Sequence, residues 1–398
     1  MKAALKARYV FPITAPPIAD GVVTIENGLI VAVGRDAAGC TVRDLGNVAL
    51  VPGLINAHTH LEFSGLSAPL GTPGMAFTDW IRRVVAHRRQ LPLPFNLIDI
   101  QDGANECGSY GTVAYGDIAT TAWGADLEWA SLGATIFLEI IGLKAELIEA
   151  RLATARKHLT PREFRHRRAG LSPHAPYSVH PELFDRLLTL AADANSPIAF
   201  HLAETLEELD LLATGGGPFR ELLIDLGAWD ETAIPRGTRP LDYLRRVAAR
   251  GVHALVIHGN YLDQEEIDFA AVHAERLAIV YCPRTHAYFD HAKHPLPQLL
   301  AAGANVALGT DSRASNPDLN LLEEIRYVAR HFPELPPSTA LELGTLRAAR
   351  AMQLEKRFGS IEPGKLAALV AVPLGDADVA DPHWLIYESD QPAAPAAA

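Results

Sequence analysis

Between residues 51 and 350 the chain alternates short apolar runs with longer amphipathic stretches, and this repeat restricts the fold more than any other feature. Eight of the runs have strand length: the run that ends at His58, then Gly111–Tyr115, Ala134–Glu139, Ala169–Ser172, Ile198–His201, Ala254–His258, Leu277–Cys282 and Val306–Asp311. Repeated strand–helix units indicate a parallel sheet with helices outside it. Eight such units predict an α/β fold closed as a (β/α)₈ TIM barrel.

The segments on either side of this repeat have β character. Two apolar runs, Gly21–Glu26 and Leu29–Gly34, flank Asn27-Gly28, which is a strong signal for a hairpin. Toward the other end, Gly359–Gly364 is typical of a turn and Leu366–Val372 of a strand. The two ends of the chain therefore predict a small β-sandwich built from both.

The expected domain boundaries follow from these changes in pattern. Residues 1–50 and 355–390 form the small composite β domain, and residues 51–354 form the barrel. The segment 391–398 is rich in alanine and proline and cannot bury a core. We expect it to be a disordered tail.

Composition narrows the class of partner. The formal net charge of -12 argues against a nucleic-acid backbone as ligand. The three cysteines have no CxxC spacing, so neither a disulfide framework nor a cysteine-rich zinc site is indicated. No signal-peptide core or membrane-spanning run is recognisable. We expect a cytoplasmic protein with a small-molecule substrate and no membrane partner, and a homodimer is left open.

The first predicted strand closes on the sequence His58-Thr-His60. Side chains alternate between the faces of a strand, so the two histidines project from one face and can chelate one cation. A His-x-His pair also arises by chance on solvated strands. Its meaning therefore depends on whether the chain supplies further ligands.

Candidate ligands occur at the ends of other predicted strands. His201 ends Ile198-Ala-Phe, His258 ends Leu255-Val-Ile, and Asp311 ends Val306-Ala-Leu-Gly-Thr. Taken singly, each histidine could be a hydrogen-bonded core residue and the aspartate a helix cap. A barrel would bring all of them to its carboxyl-terminal face. Three histidines and one aspartate, with a position left for water, are typical of a hydrolytic zinc site.

At this point the chain resembles the amidohydrolase superfamily, within it the mononuclear deaminase branch that includes cytosine, guanine and S-adenosylhomocysteine deaminases and the triazine hydrolases. The resemblance spans nearly the whole chain. The motifs that carry it are Val51–His60, Ser172-Pro-His-Ala-Pro-Tyr177, His201-Leu-Ala-Glu204, His258-Gly, Gly309-Thr-Asp311 and Gly359–Lys365.

The resemblance implies one divalent metal, zinc with iron as the alternative, bound by His58, His60, His201 and Asp311. His258 would hold the attacking hydroxide and Glu204 would shuttle protons, so both are catalytic candidates together with Asp311. Binuclear members bridge two metals with a carboxylated lysine on the fourth strand. The segment Ala169–Tyr177 contains no lysine, which favours one metal.

Substrate contacts are also expected from the resemblance. In similar deaminases the histidine of Ser-Pro-His-Ala-Pro contacts substrate, so His174 is a candidate, with a structural role at the strand end as its alternative. Trp80 and Glu139 are the other two candidates. The stretch from Trp80 to Arg88 lacks the carboxylate that S-adenosylhomocysteine deaminases carry there, and Glu139 follows the third strand where guanine deaminases place an arginine.

The Phe137-x-Glu-x-x-Gly142 element and the segment Gly309–Leu319 look most like those of aminodeoxyfutalosine deaminases of menaquinone biosynthesis. The prediction is a hydrolase of carbon–nitrogen bonds in cyclic amidines, which replaces an exocyclic amino group of an aminopurine by oxygen. Alternatives are a deaminase of S-adenosylhomocysteine, methylthioadenosine or guanine, a chlorohydrolase or amidase, or a catalytically silent barrel. Cys282–His286 either lines the pocket or forms a turn.

Overall fold

A computed structural model describes residues 2–37, 39–90, 97–121, 133–160, 167–377 and 379–396. The chain opens with five strands of a small sheet: β1 (Lys2–Val10), β2 (Ile18–Glu26), β3 (Leu29–Gly34), β4 (Thr41–Asp44) and β5 (Val48–Pro52). The hairpin predicted at Asn27-Gly28 is confirmed, because β2 and β3 pair antiparallel up to Glu26 opposite Leu29.

The barrel consists of eight strands: β6 (Leu54–Thr59), β7 (Thr112–Ala119), β8 (Gly133–Ile140), β9 (Arg167–Pro173), β10 (Ile198–Leu202), β11 (Ala254–His258), β12 (Leu277–Tyr281) and β13 (Asn305–Leu308). They pair in sequence order, and every pair is parallel. A parallel bridge between Thr59 and Asp311 joins the last strand to the first. The predicted (β/α)₈ barrel is confirmed.

Helices surround the barrel and also follow it along the chain. They are α1 (Phe77–Gln90), α2 (Leu97–Ser109), α3 (Ile148–Leu159), α4 (Pro181–Asp193), α5 (Leu206–Thr214), α6 (Gly217–Asp225), α7 (Pro240–Arg250), α8 (Gln264–Val272), α9 (Pro283–Tyr288), α10 (Leu296–Ala302), α11 (Leu321–His331), α12 (Pro337–Leu343), α13 (Leu346–Ala351) and α14 (His383–Glu388). Helix α4 shows why they pack there: Leu183, Leu187 and Ala191 recur every four residues and are fully buried. Among the described residues, no helix combines the length and apolar character needed to cross a bilayer.

The carboxyl-terminal segment returns to the small sheet. Strand β14 (Leu369–Pro373) pairs antiparallel with β5, and it begins later than the predicted start at Leu366. The expectation of a disordered tail is wrong for residues 391–396, because β15 (Ala394–Pro395) pairs with β14. The pairing uses backbone groups, and the side chain of Ala393 is buried against the sheet. An alanine- and proline-rich segment can therefore cover a sheet edge without forming a core of its own.

The barrel closes through unusually close contact between the chain after β13 and strand β6. The Asp311 amide donates to the carbonyl oxygen of His58 at 3.1 Å, and the Asn56 amide group donates to Thr310 Oγ1 at 2.8 Å. A Cβ atom added at Gly309 would lie 2.8 Å from both the Cβ and the carbonyl oxygen of His58. Only glycine permits this approach.

Candidate active site

Five of the predicted residues meet at the carboxyl-terminal mouth of the barrel. Asp311 Oδ1 lies 3.5 Å from His58 Nε2 and 3.6 Å from His60 Nε2. The candidate ligand atoms of His58, His60 and His201 lie within 4.8 Å of one another, as do those of His58, His258 and Asp311. Four separate barrel strands supply these side chains, so the parallel barrel itself creates the cluster.

Several imidazole nitrogens of the cluster remain available as metal ligands. Both ring nitrogens of His58 and Nδ1 of His60 are buried and lack a partner in hydrogen-bond geometry among the described residues. His201 Nδ1 forms a hydrogen bond with the carbonyl oxygen of His174 at 3.0 Å, which leaves Nε2 of His201 for another partner. Buried polar atoms are normally satisfied, so this set of imidazoles fits residues that hold a cation.

The charges of the cluster suit the same purpose. Burial, reinforced by neighbouring His58, lowers the pKa of His60 to about 3. Burial also holds the pKa values of His201 and His258 well below the usual range. At Asp311, burial would raise the pKa, but contact with His58 and the nearby histidines outweighs it and lowers the pKa. Neutral imidazoles beside one carboxylate anion are the donor set that Zn²⁺ prefers.

Glu204 lies beside this cluster, and the pKa of its carboxyl group is shifted in the opposite direction from that of Asp311. Its Oε1 atom is 3.3 Å from His258 Nε2. Burial, with the negative charges of Asp311 and Glu208, raises its pKa well above the ordinary range. Its backbone is held on both sides, since its amide donates to Glu208 and its carbonyl oxygen accepts from Asn260. Glu204 is thus a positioned carboxyl group whose surroundings favour its protonated form.

Two residues of the site adopt strained backbone conformations. His258 has φ 70° and Asp311 has φ 57°, in the left-handed region that favours glycine. Each is held by neighbours: His294 Nε2 contacts the carbonyl oxygen of His258 at 3.1 Å, and the Asp311 amide bonds to His58. Strain that the surrounding structure enforces is typical of functional positions.

A second group of charged and polar side chains lies next to the cluster. Glu139 Oε1 is 3.8 Å from His174 Nε2, and Glu139 Oε2 is 3.3 Å from a terminal nitrogen of Arg88. Burial would raise the pKa of Glu139, but Arg88 and His174 outweigh it and lower that pKa to about 2. His174 also contacts Ser178 Oγ through Nδ1 at 2.6 Å. Glu139 is therefore an anion whose charge is partly balanced by Arg88.

Both groups open into one cavity of about 250 Å³. Its floor is polar, and its walls come largely from apolar residues of α1 and α6. The predicted residues that line it are His60, Trp80, Glu139, His174, His201, Glu204, His258 and Asp311. His58 is fully buried, and Trp80 donates its ring N–H to the carbonyl oxygen of Ala314 at 3.0 Å. The structure thus brings all the predicted site residues to one place.

Comparison with known proteins assigns the family. Residues 49–388 match the model of the amidohydrolase family. The chain belongs to this family. Accordingly, this amidohydrolase is a hydrolase that acts on carbon–nitrogen bonds other than peptide bonds, as the sequence predicted.

Several relatives of this amidohydrolase are named as deaminases. The 5-methylthioadenosine/S-adenosylhomocysteine deaminase of Moorella thermoacetica is 28% identical over 96% of this chain and 87% of the relative. The aminodeoxyfutalosine deaminase of Deinococcus radiodurans is 30% identical over 72% of this chain and 69% of the relative. The crystal structure of Helicobacter pylori aminofutalosine deaminase with methylthio-coformycin has a TM-score of 0.82 and 25% identity, and the match covers 97% of this chain and 95% of that one.

Sequence reasoning missed two residues of the site. Arg88 balances Glu139, and Glu208 accepts from the backbone amides of Ala203 and Glu204. Arg88 could have been noticed as the one cation at the end of an apolar helical stripe on α1. Glu208 stands three residues after the N-cap Thr205, a spacing that indicates the start of a helix but not a place in the site.

The sequence leaves two alternatives for the Cys282–His286 segment, a wall of the pocket or a turn. It forms the first part of α9 and its N-cap, and its residues are absent from the described cavity lining. Arg284 instead binds Asp318 and Glu324.

Proposed function

We propose that this amidohydrolase is a metal-dependent deaminase of adenosine-type nucleosides. Water would replace the exocyclic amino group of the purine, and ammonia would leave. The best candidate substrate is 6-amino-6-deoxyfutalosine, an intermediate of menaquinone biosynthesis. The observation that carries the proposal is the contact of 3.3 Å between Glu204 and His258 beside three further histidines and Asp311. A protein that merely stores a metal needs no such pair.

The donor set fits a single divalent ion, which we propose to be zinc, with iron as the alternative. His58, His60, His201 and Asp311 would hold it. Such an ion supplies Lewis acidity and lowers the pKa of water to about 7. Strand β9 has no lysine that could bridge a second ion, which supports one metal.

Glu204 and His258 would carry out the proton transfers. Neutral His258 can accept a hydrogen bond from the attacking water and so orient it toward the purine carbon. Glu204 can give its proton to the adjacent ring nitrogen, which makes that carbon more electrophilic. It can then regain a proton from the added water and pass it to the amino group as the carbon–nitrogen bond breaks.

The neighbouring group would recognise the base. His174 and Glu139 lie on the cavity floor, with Arg88 behind the carboxylate. Their donors and acceptors suit a heterocycle that has ring nitrogens and an exocyclic amine. Trp80 contributes an apolar face, because its ring N–H is already bonded to Ala314.

A second candidate function has an observation of its own in its favour. The relative from Moorella thermoacetica, which matches nearly the whole chain, is named for 5-methylthioadenosine and S-adenosylhomocysteine. Guanine deamination, triazine or amide hydrolysis and a silent barrel lack a comparable observation.

The test is ammonia release by metal-replete protein, with metal content measured on the same sample. Substrates would be aminodeoxyfutalosine, methylthioadenosine, S-adenosylhomocysteine, adenosine, guanine and a chlorotriazine. We expect ammonia from at least one adenine nucleoside and none from guanine. Metal-replete protein that releases none from any adenine nucleoside would refute the proposed function.

A further inference from the structure

His258 has an unusual backbone for a residue whose side chain points at a reaction partner. It ends β11 with φ 70°, a conformation that costs free energy for residues other than glycine. In this conformation its Nε2 atom lies 3.3 Å from Glu204 Oε1. Without restraint the residue would relax to an ordinary conformation, and the imidazole would turn away from Glu204. The direction of the imidazole therefore depends on the groups that hold this backbone.

His294 supplies one of these restraints from the segment between α9 and α10. Its Nε2 atom lies 3.1 Å from the carbonyl oxygen of His258. Because a carbonyl oxygen only accepts, the imidazole carries a hydrogen on Nε2 and donates it. Burial lowers the pKa of His294 to about 3, so the ring stays neutral at ordinary pH. Only 1% of the residue is exposed, which keeps water from competing for the same carbonyl oxygen.

The ring of His294 is itself held in place. It stacks on Tyr281, with the ring centres 3.9 Å apart and an angle of 21° between the planes. Tyr281 is buried and is the last residue of β12, the barrel strand that pairs with β11. The ring of His286 packs against His294 as well, with its centre 5.9 Å away and its plane at 80°. The donor to His258 is therefore fixed relative to the barrel strands.

The peptide group after His258 is also held by the opposite neighbouring strand, β10. The Gly259 amide donates to the carbonyl oxygen of Leu202, the last residue of β10, at 3.0 Å. Just beyond this strand, the carbonyl oxygen of Glu204 accepts from the side chain of Asn260 at 3.0 Å. The peptide group therefore uses its N–H on the β10 side and its carbonyl oxygen on the β12 side, and both sides together fix its orientation.

We propose that His294 is a positioning residue for deamination: its hydrogen bond to the carbonyl oxygen fixes the backbone of His258 and thereby directs the His258 imidazole toward Glu204. This inference rests on the proposed function. His294 is absent from the described cavity lining, so it does not contact a nucleoside bound there. Its loss should change KM by less than about two-fold and lower kcat by about thirty-fold, since a small misplacement of a reacting group is costly.

His294→Phe removes the donor and keeps a flat ring that can stack on Tyr281. We expect the fall in kcat with metal content unchanged. In His294→Gln an amide nitrogen can take the place of Nε2, so most of the lost kcat should return. If His294→Phe fails to fold, His294→Leu removes the same donor with a smaller side chain.

The chain offers a matched control in His273. Its ring stacks on Phe269 at 4.2 Å, and its Nδ1 atom lies 2.9 Å from the carbonyl oxygen of Phe269. These are the same two contacts that His294 makes, but His273 precedes β12 and is not in the described cavity lining. We expect His273→Phe to leave kcat and KM unchanged.

Two further measurements separate positioning from general support of the barrel. In a His258→Ala background, His294→Phe should cause no further fall in kcat, because no imidazole is left to direct. Crystal structures of the wild type and of His294→Phe need no substrate, and we expect His258 Nε2 to contact Glu204 Oε1 in the wild type and to lie beyond hydrogen-bond distance in the variant.

An unchanged kcat or an unchanged distance between His258 and Glu204 in folded His294→Phe would overturn the inference. An equal fall in kcat in the wild-type and His258→Ala backgrounds would overturn it too. A wild type that deaminates no nucleoside would instead refute the proposed function, and the two crystal structures would still show whether His294 directs His258.

Discussion

His258 Nε2 and Glu204 Oε1 face each other at 3.3 Å, and burial shifts both groups toward their neutral forms. In their neutral forms the carboxyl group is a proton donor and the imidazole an acceptor, and the two are in contact. Hydrolytic deamination requires both, because one proton must reach the ring and another must reach the leaving amine.

Replacing Glu204 by glutamine should abolish turnover while metal content stays near that of the wild type. The amide keeps the shape of the side chain but cannot shuttle a proton, so we expect kcat to fall by about a thousand-fold. The matched control is Glu207→Gln in the first turn of α5. Full activity in Glu204→Gln, measured by ammonia release, would refute the assignment.

Metal removal should inactivate the protein and lower its thermal midpoint. The unpartnered nitrogens of His58 and His60 would be satisfied by a bound ion, so the ion stabilises the folded state. At a free concentration of one hundred times Kd the stabilisation is about 2.7 kcal/mol. Calorimetry with and without Zn²⁺ measures it, and His58→Asn should abolish the difference. A midpoint insensitive to Zn²⁺ in the wild type would contradict the metal site.

Arg88→Met should destabilise the protein by about 3 kcal/mol, because Glu139 would remain buried without its cation. Glu139→Gln removes the same pair from the other side. The double variant should cost clearly less than the sum of the two single changes. Urea unfolding of the four proteins gives the coupling energy, and strict additivity would show that the pair contributes nothing.

Gly309→Ala should reduce both stability and metal content. The new methyl group would meet the Cβ and carbonyl oxygen of His58 at 2.8 Å, so the strand that carries a ligand must move. Gly34→Ala is the control, since a Cβ atom there meets nothing within 4 Å. We expect the control to retain its metal and its unfolding midpoint; an equal loss in both variants would point to a general effect of losing glycine.

Glu208 should make stability depend on pH. Burial raises its pKa in the folded protein to about 7, although backbone amides of Glu204 and Ala203 oppose the shift. Between its ordinary pKa and about 7, only the folded state keeps the proton, so the free energy of unfolding falls as pH rises through this window and then levels off. The fall amounts to about 3 kcal/mol. In Glu208→Gln this component should vanish from unfolding curves measured between pH 4.5 and 8; an identical pH dependence in both proteins would exclude it.

Much of the fold could be predicted because its signals are local. Each barrel strand is a short apolar run, and the ligand candidates His201, His258 and Asp311 come directly at or after such runs. Parallel strands bring their carboxyl ends together whatever the intervening sequence is. The cluster was therefore predictable without knowing any distance.

The features that the sequence did not predict depend on contacts between parts of the chain that are far apart in sequence. Arg88 reaches Glu139 only because of the way α1 lies over the barrel mouth. The pairing of Ala394 with Ala371 uses backbone groups, which composition does not reveal. Where an ordered tail or a helix face ends up depends on the assembled barrel.

The close contact between Gly309 and His58, where the barrel closes, gives the proposed metal site a further property. His58 belongs to the first barrel strand and Asp311 follows the last, and the neighbouring Thr59 and Asp311 are 252 positions apart in the sequence. His58 and Asp311 therefore come together only when all the intervening strands have formed and the barrel has closed. A chain interrupted anywhere between them would lack the means to retain the ion, so metal retention would serve as a check on the completeness of folding.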